Sequence, residues 1–508
     1  MKLLRRIHNS NAIWAIIAVL VNCAINFTVV PYVTERVGVE AYGYVSLSNT
    51  IITYVDVISV ALNSFAGRFI ALTYHKNEFK KANIYYASSF YANLFLCVIL
   101  SIVAAFGIRD VQKFLNISAT LETDVRILFF FVLARYNFVL LRTVFDTACF
   151  IKNRLDITEK FRALSYIIQA VLLIILCGTL RPKIWYIGIA SMSAAFVLLI
   201  SQMWCAHKFT PELKIKINLF SIPSILEIIS TGVWTAINNL GNILNSGLDL
   251  LIANKMLLGV TAGNISVSKS VGSMCYTLIS SVSNSFRPRQ LEKYSKGDLH
   301  GLVLDLKLSM RINGMLCGVI IAGFLVCGMD FLHLWIPTQD NASIFDFTMI
   351  VLIGDIIIGV VNPLYYVFTL TKKVKVPCYI TLLMGAANVI SMIILIHMTS
   401  LGGYVVVLTT MFINFIHFID TPVYAAYCLK LPLTTFFPEI FRHLLNAGIL
   451  VAVMFVMNSL PIEVNGWVLL LLKIILYGIT GIIISFLVMT TQEEKSYVLR
   501  RLKKYTRG

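Results

Sequence analysis

The chain of 508 residues is 58% hydrophobic and 13% charged, with a strongly positive mean hydropathy, which excludes a soluble globular protein and requires many membrane spans. A net charge of +17 would suggest nucleic acid in a soluble chain. In a membrane chain it is read by location, because lysine and arginine collect on cytoplasmic loops, so no nucleic-acid partner is expected.

A span needs roughly 20 apolar residues. On that basis fourteen spans are expected, near 10–33, 42–66, 83–106, 125–148, 163–180, 184–206, 224–254, 261–286, 308–328, 346–370, 378–399, 403–429, 440–459 and 467–490. The basic start, Lys2, Arg5 and Arg6, leads into an apolar run without a small-residue cleavage pattern, which reads as a retained first span. With both termini cytoplasmic, most lysines and arginines fall on inner segments at 68–81, 152–162, 208–216, 287–311, 371–375, 430–442 and 495–507. Arg135, Arg142, Lys269 and Lys473 fall inside spans. This bias supports an even number of spans in that orientation. The longest outer loops, 107–123 and 329–345, are too short for the outer domain expected of a polymerase or ligase. The ten cysteines stand singly, with no C-x-x-C pair, so neither disulfides nor metal is implied.

Residues 29–81 recur at 250–302. Val37-Gly38-Val39-Glu40-Ala41 returns as Leu258-Gly259-Val260-Thr261-Ala262, and Asn63-Ser64-Phe65 with Arg68 returns at the same offset as Asn284-Ser285-Phe286 with Arg289. Six spans separate the copies, so they enter the membrane in the same orientation and form parallel repeats, an arrangement of two lobes around a central path. The lobes are 1–206 and 224–429, joined by a cytoplasmic connector at 207–223. An extra helix pair at 430–490 and a basic cytoplasmic tail at 491–508 complete the chain.

An ionisable group in the bilayer core costs a few kcal/mol or more, so it usually faces a cavity or a partner. In span 4, Arg135, Arg142 and Asp146 share one helical face within about 40°, and Asp146 is placed to hold Arg142. Span 7 carries Asn238, Asn242, Asn245 and Asp249 on one face, and Lys269 in span 8 lies at a depth where it can pair with Asp249. The repeat match sets Ser48 in the place of Lys269. Span 2 shows Asn49, Thr53, Asp56 and Asn63, and span 1 shows Asn22 and Asn26. Asp355 and Asn362 lie in span 10, and Asn414, His417 and Asp420 in span 12. His417 and Asp420 are spaced either to carry a proton or to form a buried hydrogen-bonded pair beside Pro422. Lys473, six residues into span 14, is expected to snorkel outward. There is no phosphate-loop sequence, metal-spaced cluster or nucleophile elbow, so no cofactor, ATP use or enzymatic chemistry is expected.

The turn Arg36-Val37-Gly38-Val39-Glu40-Ala41-Tyr42-Gly43 comes after the first span and precedes a long apolar helix and a basic loop. With Leu257-Leu258-Gly259 after Asp249, and Pro288-Arg289-Gln290-Leu291 running into Lys296-Gly297-Asp298, it resembles the bacterial polysaccharide flippases. These are the O-antigen and capsule exporters of the multidrug/oligosaccharidyl-lipid/polysaccharide exporter superfamily. The resemblance covers nearly the whole chain in span count, lobe division and final helix pair. It implies an all-α, polytopic, two-lobe transporter of the bacterial cytoplasmic membrane that turns an undecaprenyl-diphosphate-linked oligosaccharide from the inner to the outer leaflet by alternating access.

A lipid diphosphate calls for deep cations with bidentate reach. Arg135, Arg142 and Lys269, with Asn242 and Asn245, are the expected substrate-binding residues. Asp56, Asp146, Asp249, Asp355, His417 and Asp420 are the expected cavity or ion-coupling residues, for protons or sodium. The competing expectations are a multidrug cation antiporter of the same fold, a peptidoglycan-precursor flippase, and a membrane-embedded glycan polymerase or scaffold. The antiporter wants acidic cavity walls, where span 1 offers only Asn22 and Asn26.

Overall fold

The computed structural model describes residues 11–115, 117–118, 120–152, 154–459, 464–490 and 495. The basic start at Lys2, Arg5 and Arg6, the side chain of Asn22 and nearly all of the 491–508 tail lie outside them. Among the described residues every regular element is helical. In chain order the long helices are α1 (Asn11–Arg36), α2 (Val39–His75), α3 (Phe79–Arg109), α4 (Glu122–Ile151), α5 (Leu155–Thr179) and α6 (Trp185–Phe209). Then comes α7, in two pieces (Ile222–Asn242 and Asp249–Met256) joined by a π-helical turn (Ile243–Gly247), and α8 (Gly259–Ser295) and α9 (Leu299–Trp335). The rest are α10 (Asn341–Val361 and Tyr365–Leu370, joined at Asn362–Leu364), α11 (Lys375–Met398), α12 (Gly403–Cys428), α13 (Phe437–Asn458) and α14 (Trp467–Met489).

Each expected span is occupied by one of these helices, and eleven of them are long and apolar enough to cross a membrane by length and composition. The chain is a multi-pass membrane protein. Outside those eleven stand α1, the interrupted α7 and α8, whose many serines lower its hydropathy. The helix starts are specified locally. Ser221 accepts the Ser224 amide with Pro223 in the first turn of α7, Asp298 accepts the Gly301 amide at α9, and Asp340 accepts the Ser343 amide at α10, each satisfying one orphan N–H. Gly38, at φ 112°, supplies the turn between α1 and α2 that side-chain-bearing residues rarely adopt.

The chain packs as two compact units, one of 1–266 with 378–396 and the other of 267–377 with 397–508. In the first unit, α2, α3, α4 and α6 share a core around Ile70, Tyr86, Val144 and Leu199, and α7 runs along α2 over Leu62 and Ile228. The α7–α2 approach is close because position 232 is glycine: a Cβ there would stand 2.0 Å from the Ala61 carbonyl oxygen and 2.9 Å from Ser64 Oγ. Gly232→Ala is therefore expected to lower stability by about 1–3 kcal/mol through overpacking. Gly448→Ala, where a Cβ meets nothing within 4 Å, should gain about 0.5–1 kcal/mol from helix propensity. Thermal unfolding of the two variants in detergent checks the opposite signs.

In the second unit, α8, α9, α10, α12 and α13 surround Leu302, Met310, Leu352, Val360 and Phe418. A smaller core around Ala322, Leu450, Met454 and Tyr477 fastens α13 and α14 to α9. Here the structure corrects one expectation. Lys473 does not snorkel: its side chain is 6% exposed and its Nζ lies 2.8 Å from Asp330 Oδ2 on α9. A carboxylate at matching depth captures the ammonium, and the sequence could not show that α14 packs on α9.

The repeat is also sharpened by one residue. α2 and α8 are both 37 residues long. The offset that aligns Val39 with Gly259 also aligns Phe79 with Leu299 and the left-handed Asn77 with Gly297. It further aligns the Asn63–Asn93 hydrogen bond with the Asn313–Ser283 bond, at 3.0 and 2.7 Å. Asn63 therefore corresponds to Ser283, and the exposed Asn284 is one position off. A one-residue slip turns a helix by 100°, so the three-residue identity Asn-Ser-Phe is misleading. In the structural register Lys269 takes the place of Asn49, not of Ser48.

Candidate functional site

The most distinctive polar centre lies between α2 and α4 in the first unit. Asn49 donates Nδ2 to the Val45 carbonyl of its own helix (3.0 Å), which fixes its amide so that Oδ1 accepts from Arg135 Nη1 at 3.1 Å. Among the described residues no carboxylate pairs with Arg135. Two turns along α2, Asp56 is occupied otherwise. Its Oδ1 accepts from Tyr136 Oη at 2.8 Å and from Ser59 Oγ at 2.5 Å, and the two hydroxyls stand 3.0 Å apart. Tyr136 is next to Arg135 in sequence but points to the buried side, so the arginine and its neighbour serve different faces.

Further toward the basic end, Arg142 Nε meets Asp146 Oδ2 at 3.2 Å. Of the expected stripe on α4, one pair is thus closed on itself, and the deep guanidinium is left with a neutral acceptor. Asn63 and Asn93 exchange hydrogen bonds at 3.0 and 2.9 Å, and Thr143 bonds both. They form a bridge between helices rather than an open polar wall.

On α7 the expected single face is split. A π turn inserts an extra residue per turn and displaces the later residues around the axis. Asn242 is exposed, whereas Asn245 is 8% and Asp249 is 2% exposed. Tyr54 Oη donates to the Gly247 carbonyl at 2.5 Å, and Asn388 of α11 donates to the Asn245 carbonyl. Both bonds go to the backbone of the widened segment. Asp249 opens the second piece of α7, where the N-terminal peptide dipoles favour a carboxylate.

In the second unit Lys269 is half-buried on α8. Asp355 folds over Gly272, where a Cβ would meet its Oδ2 at 2.8 Å, and Asn362 Nδ2 donates to Tyr276 Oη at 2.8 Å. His417 Nδ1 and Asp420 Oδ2 are 3.1 Å apart, Thr421 Oγ1 donates to Asp420 Oδ1 at 3.0 Å, and the buried His417 Nε2 has no hydrogen-bond partner among the described residues. The hydrogen-bonded pair is formed, with one imidazole nitrogen in reserve.

Several contributors were not foreseen. Tyr136, Asn93 and Asn388 lie in apolar helices and Tyr276 in the serine-rich α8, and nothing in their spacing marks them. A stripe on α8, Ser273, Ser281 and Asn284 with the partly exposed Thr277 between them, does carry a signal, because α8 falls outside the eleven apolar spans. The Ser273, Thr277 and Ser281 hydroxyls donate to their own helix, leaving oxygen lone pairs facing outward.

No family model matches the chain. A curated relative, the uncharacterized membrane protein EpsK of Bacillus subtilis (strain 168), is 26% identical over 493 residues, 97% of this chain and 97% of that protein. Among solved structures, the lipid II flippase MurJ in an inward closed conformation superposes with a TM-score of 0.67 at 14% identity, covering 94% of this chain and 97% of that one. An inward-facing multidrug resistance MATE family transporter of the MOP superfamily gives 0.66 at 13% identity, covering 81% and 94%. A MOP superfamily transporter from Pyrococcus furiosus, for which reverse polarity of the binding pocket suggests a different function, gives 0.57 at 12% identity, covering 84% and 97%. The fold is that of the MOP-superfamily transporters.

Proposed function

We propose that this chain is an alternating-access flippase, not an enzyme, that moves a polyprenyl-diphosphate-linked oligosaccharide from the inner to the outer leaflet of the bacterial cytoplasmic membrane. Its termini are cytoplasmic, its repeat-related lobes are 1–206 and 224–429, and its cargo is the repeat unit of a surface polysaccharide of the O-antigen or capsule type. The observation that carries this is Arg135, a guanidinium deep in a span, oriented by the neutral amide of Asn49 and paired with no carboxylate among the described residues. Such a group keeps its full charge for a ligand, and a diphosphate offers the bidentate oxygens that a guanidinium matches. A cationic drug would meet repulsion there, which weighs against a multidrug antiporter. The fold shared with a lipid II flippase fits a lipid-linked cargo and keeps the peptidoglycan precursor as the nearest alternative.

In this proposal Lys269 adds a second cation, and the exposed Asn242 contributes an amide. Arg142, held by Asp146, guides the anion from the basic side. An inside-negative potential favours outward passage of the anion by roughly 2.3 kcal/mol per charge per 100 mV. The His417–Asp420 pair, whose second imidazole nitrogen has no partner among the described residues, is the proposed site for a counter-moving proton, and Asp56 and Asp355 border the polar path.

Asn49 gives a direct test. Asn49→Asp places a carboxylate about 3 Å from Arg135 and should close the guanidinium on itself, lowering export of surface polysaccharide by about tenfold or more, since charged hydrogen bonds are worth about 1.5–3 kcal/mol. Asn49→Ala should cost only a few-fold. Surface polysaccharide in a deletion strain carrying each variant at equal membrane levels is the readout, and wild-type export by Asn49→Asp would overturn the proposal.

A further inference from the structure

A cavity of about 630 Å³ opens where the turn before α2 meets the turn before α8, a volume within the range of small-molecule sites, about 300–1,000 Å³. Glu40, Gln112 and Ser118 supply its polar wall, and Leu115, Leu257 and Leu258 are among its apolar lining. Glu40 is held in place: its Oε1 accepts from Tyr44 Oη at 2.8 Å and from Ser118 Oγ at 2.6 Å. The place a Cβ would take at Gly259 is 2.9 Å from the same oxygen, so a side chain there would displace the carboxylate. Among the described residues no hydrogen bond reaches the second oxygen, Oε2, and this is the oxygen offered to a ligand. The charged residue among the described lining is the carboxylate of Glu40, which repels a phosphate. The Gln112 amide donates to Glu122 and the Ser118 hydroxyl to Glu40, so the cavity offers acceptor oxygens and leucine side chains, which suit an uncharged, hydroxyl-rich molecule. Its paired hydroxyls donate to the carboxylate, and its C–H faces lie on the leucines.

We infer that this cavity is a sugar-binding site, which on the proposed topology sits at the outer end of the path and receives the glycan of the cargo separately from its diphosphate. This rests on the flippase proposal and names where the sugar is recognised. The cargo then meets two poles, Arg135 for the diphosphate and Glu40 for the glycan. Glu40→Gln keeps Oε1 for Tyr44 and Ser118 but turns the outward oxygen into a donor. Leu258→Trp, at a residue 74% exposed, fills the cavity without touching a core.

The test uses the full chain in lipid nanodiscs, with two probes: the lipid-linked oligosaccharide extracted from the host and undecaprenyl diphosphate without sugar. The expected result is that wild type binds the glycosylated lipid more tightly, that Glu40→Gln and Leu258→Trp weaken it about tenfold, as loss of a charged hydrogen bond would, and that sugar-free lipid binds both variants as it binds wild type. Equal affinity of wild type for the two lipids, or an unchanged or equal loss in the variants, would overturn the sugar site and leave the flippase proposal standing. Failure of wild type to bind either lipid would instead sink the flippase proposal, and the sugar site with it.

Discussion

Arg135→Ala is expected to lower transport of the lipid-linked oligosaccharide by roughly 30-fold or more while the protein remains in the membrane at the wild-type level. The magnitude comes from what the guanidinium does. A charge-assisted hydrogen bond to a buried partner is worth about 1.5–3 kcal/mol, and each 1.4 kcal/mol is about tenfold. Arg135→Lys should recover part of the activity, because it restores the charge but not the planar fork. The same substitution separates function from structure. A deep arginine whose partner among the described residues is the neutral Asn49 amide is a cost to the folded chain, so removing it should leave thermal stability in detergent unchanged or raised. A large drop in stability with Arg135→Ala would show that the residue holds helices together and does not wait for a ligand.

The second large effect concerns stability alone, and its sign pattern is asymmetric. Lys473 is 6% exposed, whereas its partner Asp330 is 35% exposed. Asp330→Asn strands a buried ammonium, for which about 3 kcal/mol or more is expected, since breaking a buried pair from one side costs about 3–5 kcal/mol. Lys473→Met leaves a carboxylate that can still reach water and puts an apolar chain among Leu470, Tyr477 and Cys327. Its cost should be about 1 kcal/mol or less. Apparent melting temperatures in one detergent compare the two. If Lys473→Met is the more damaging, the ammonium is not the stranded member and the buried-pair account fails.

These two sites also mark what is legible in the sequence. Fourteen spans are expected from composition, because a bilayer demands an apolar run for each crossing; each expected segment holds a helix, and eleven of the described helices are apolar enough to cross. The Arg142–Asp146 and His417–Asp420 pairs are legible because both members sit on one helix at fixed spacing. Contacts between helices are not legible in the same way: neither the capture of Lys473 by Asp330 nor the Tyr136–Asp56–Ser59 cluster leaves a periodic trace. The face of α7 is misjudged when a regular 100° step is carried through the π turn at Ile243–Gly247. The repeat shows in its identical residues but one position out, because helical segments tolerate a slip that the turns at Asn77 and Gly297 do not. That correction bears on function. In the structural register Lys269 stands where Asn49 stands in the first copy, and Asp355 where Arg135 stands, so the two copies carry different charge patterns on a common frame.

The most direct measurement is translocation by the purified full chain in proteoliposomes, with the host's lipid-linked oligosaccharide in the membrane and a lipophilic cation such as ethidium as the competing cargo. The glycolipid is expected to cross to the other leaflet, with sugar-free undecaprenyl diphosphate competing and ethidium not, and Arg135→Ala is expected to stop the movement. Accumulation of ethidium against a proton or sodium gradient, with the glycolipid left in its original leaflet, would contradict the flippase proposal.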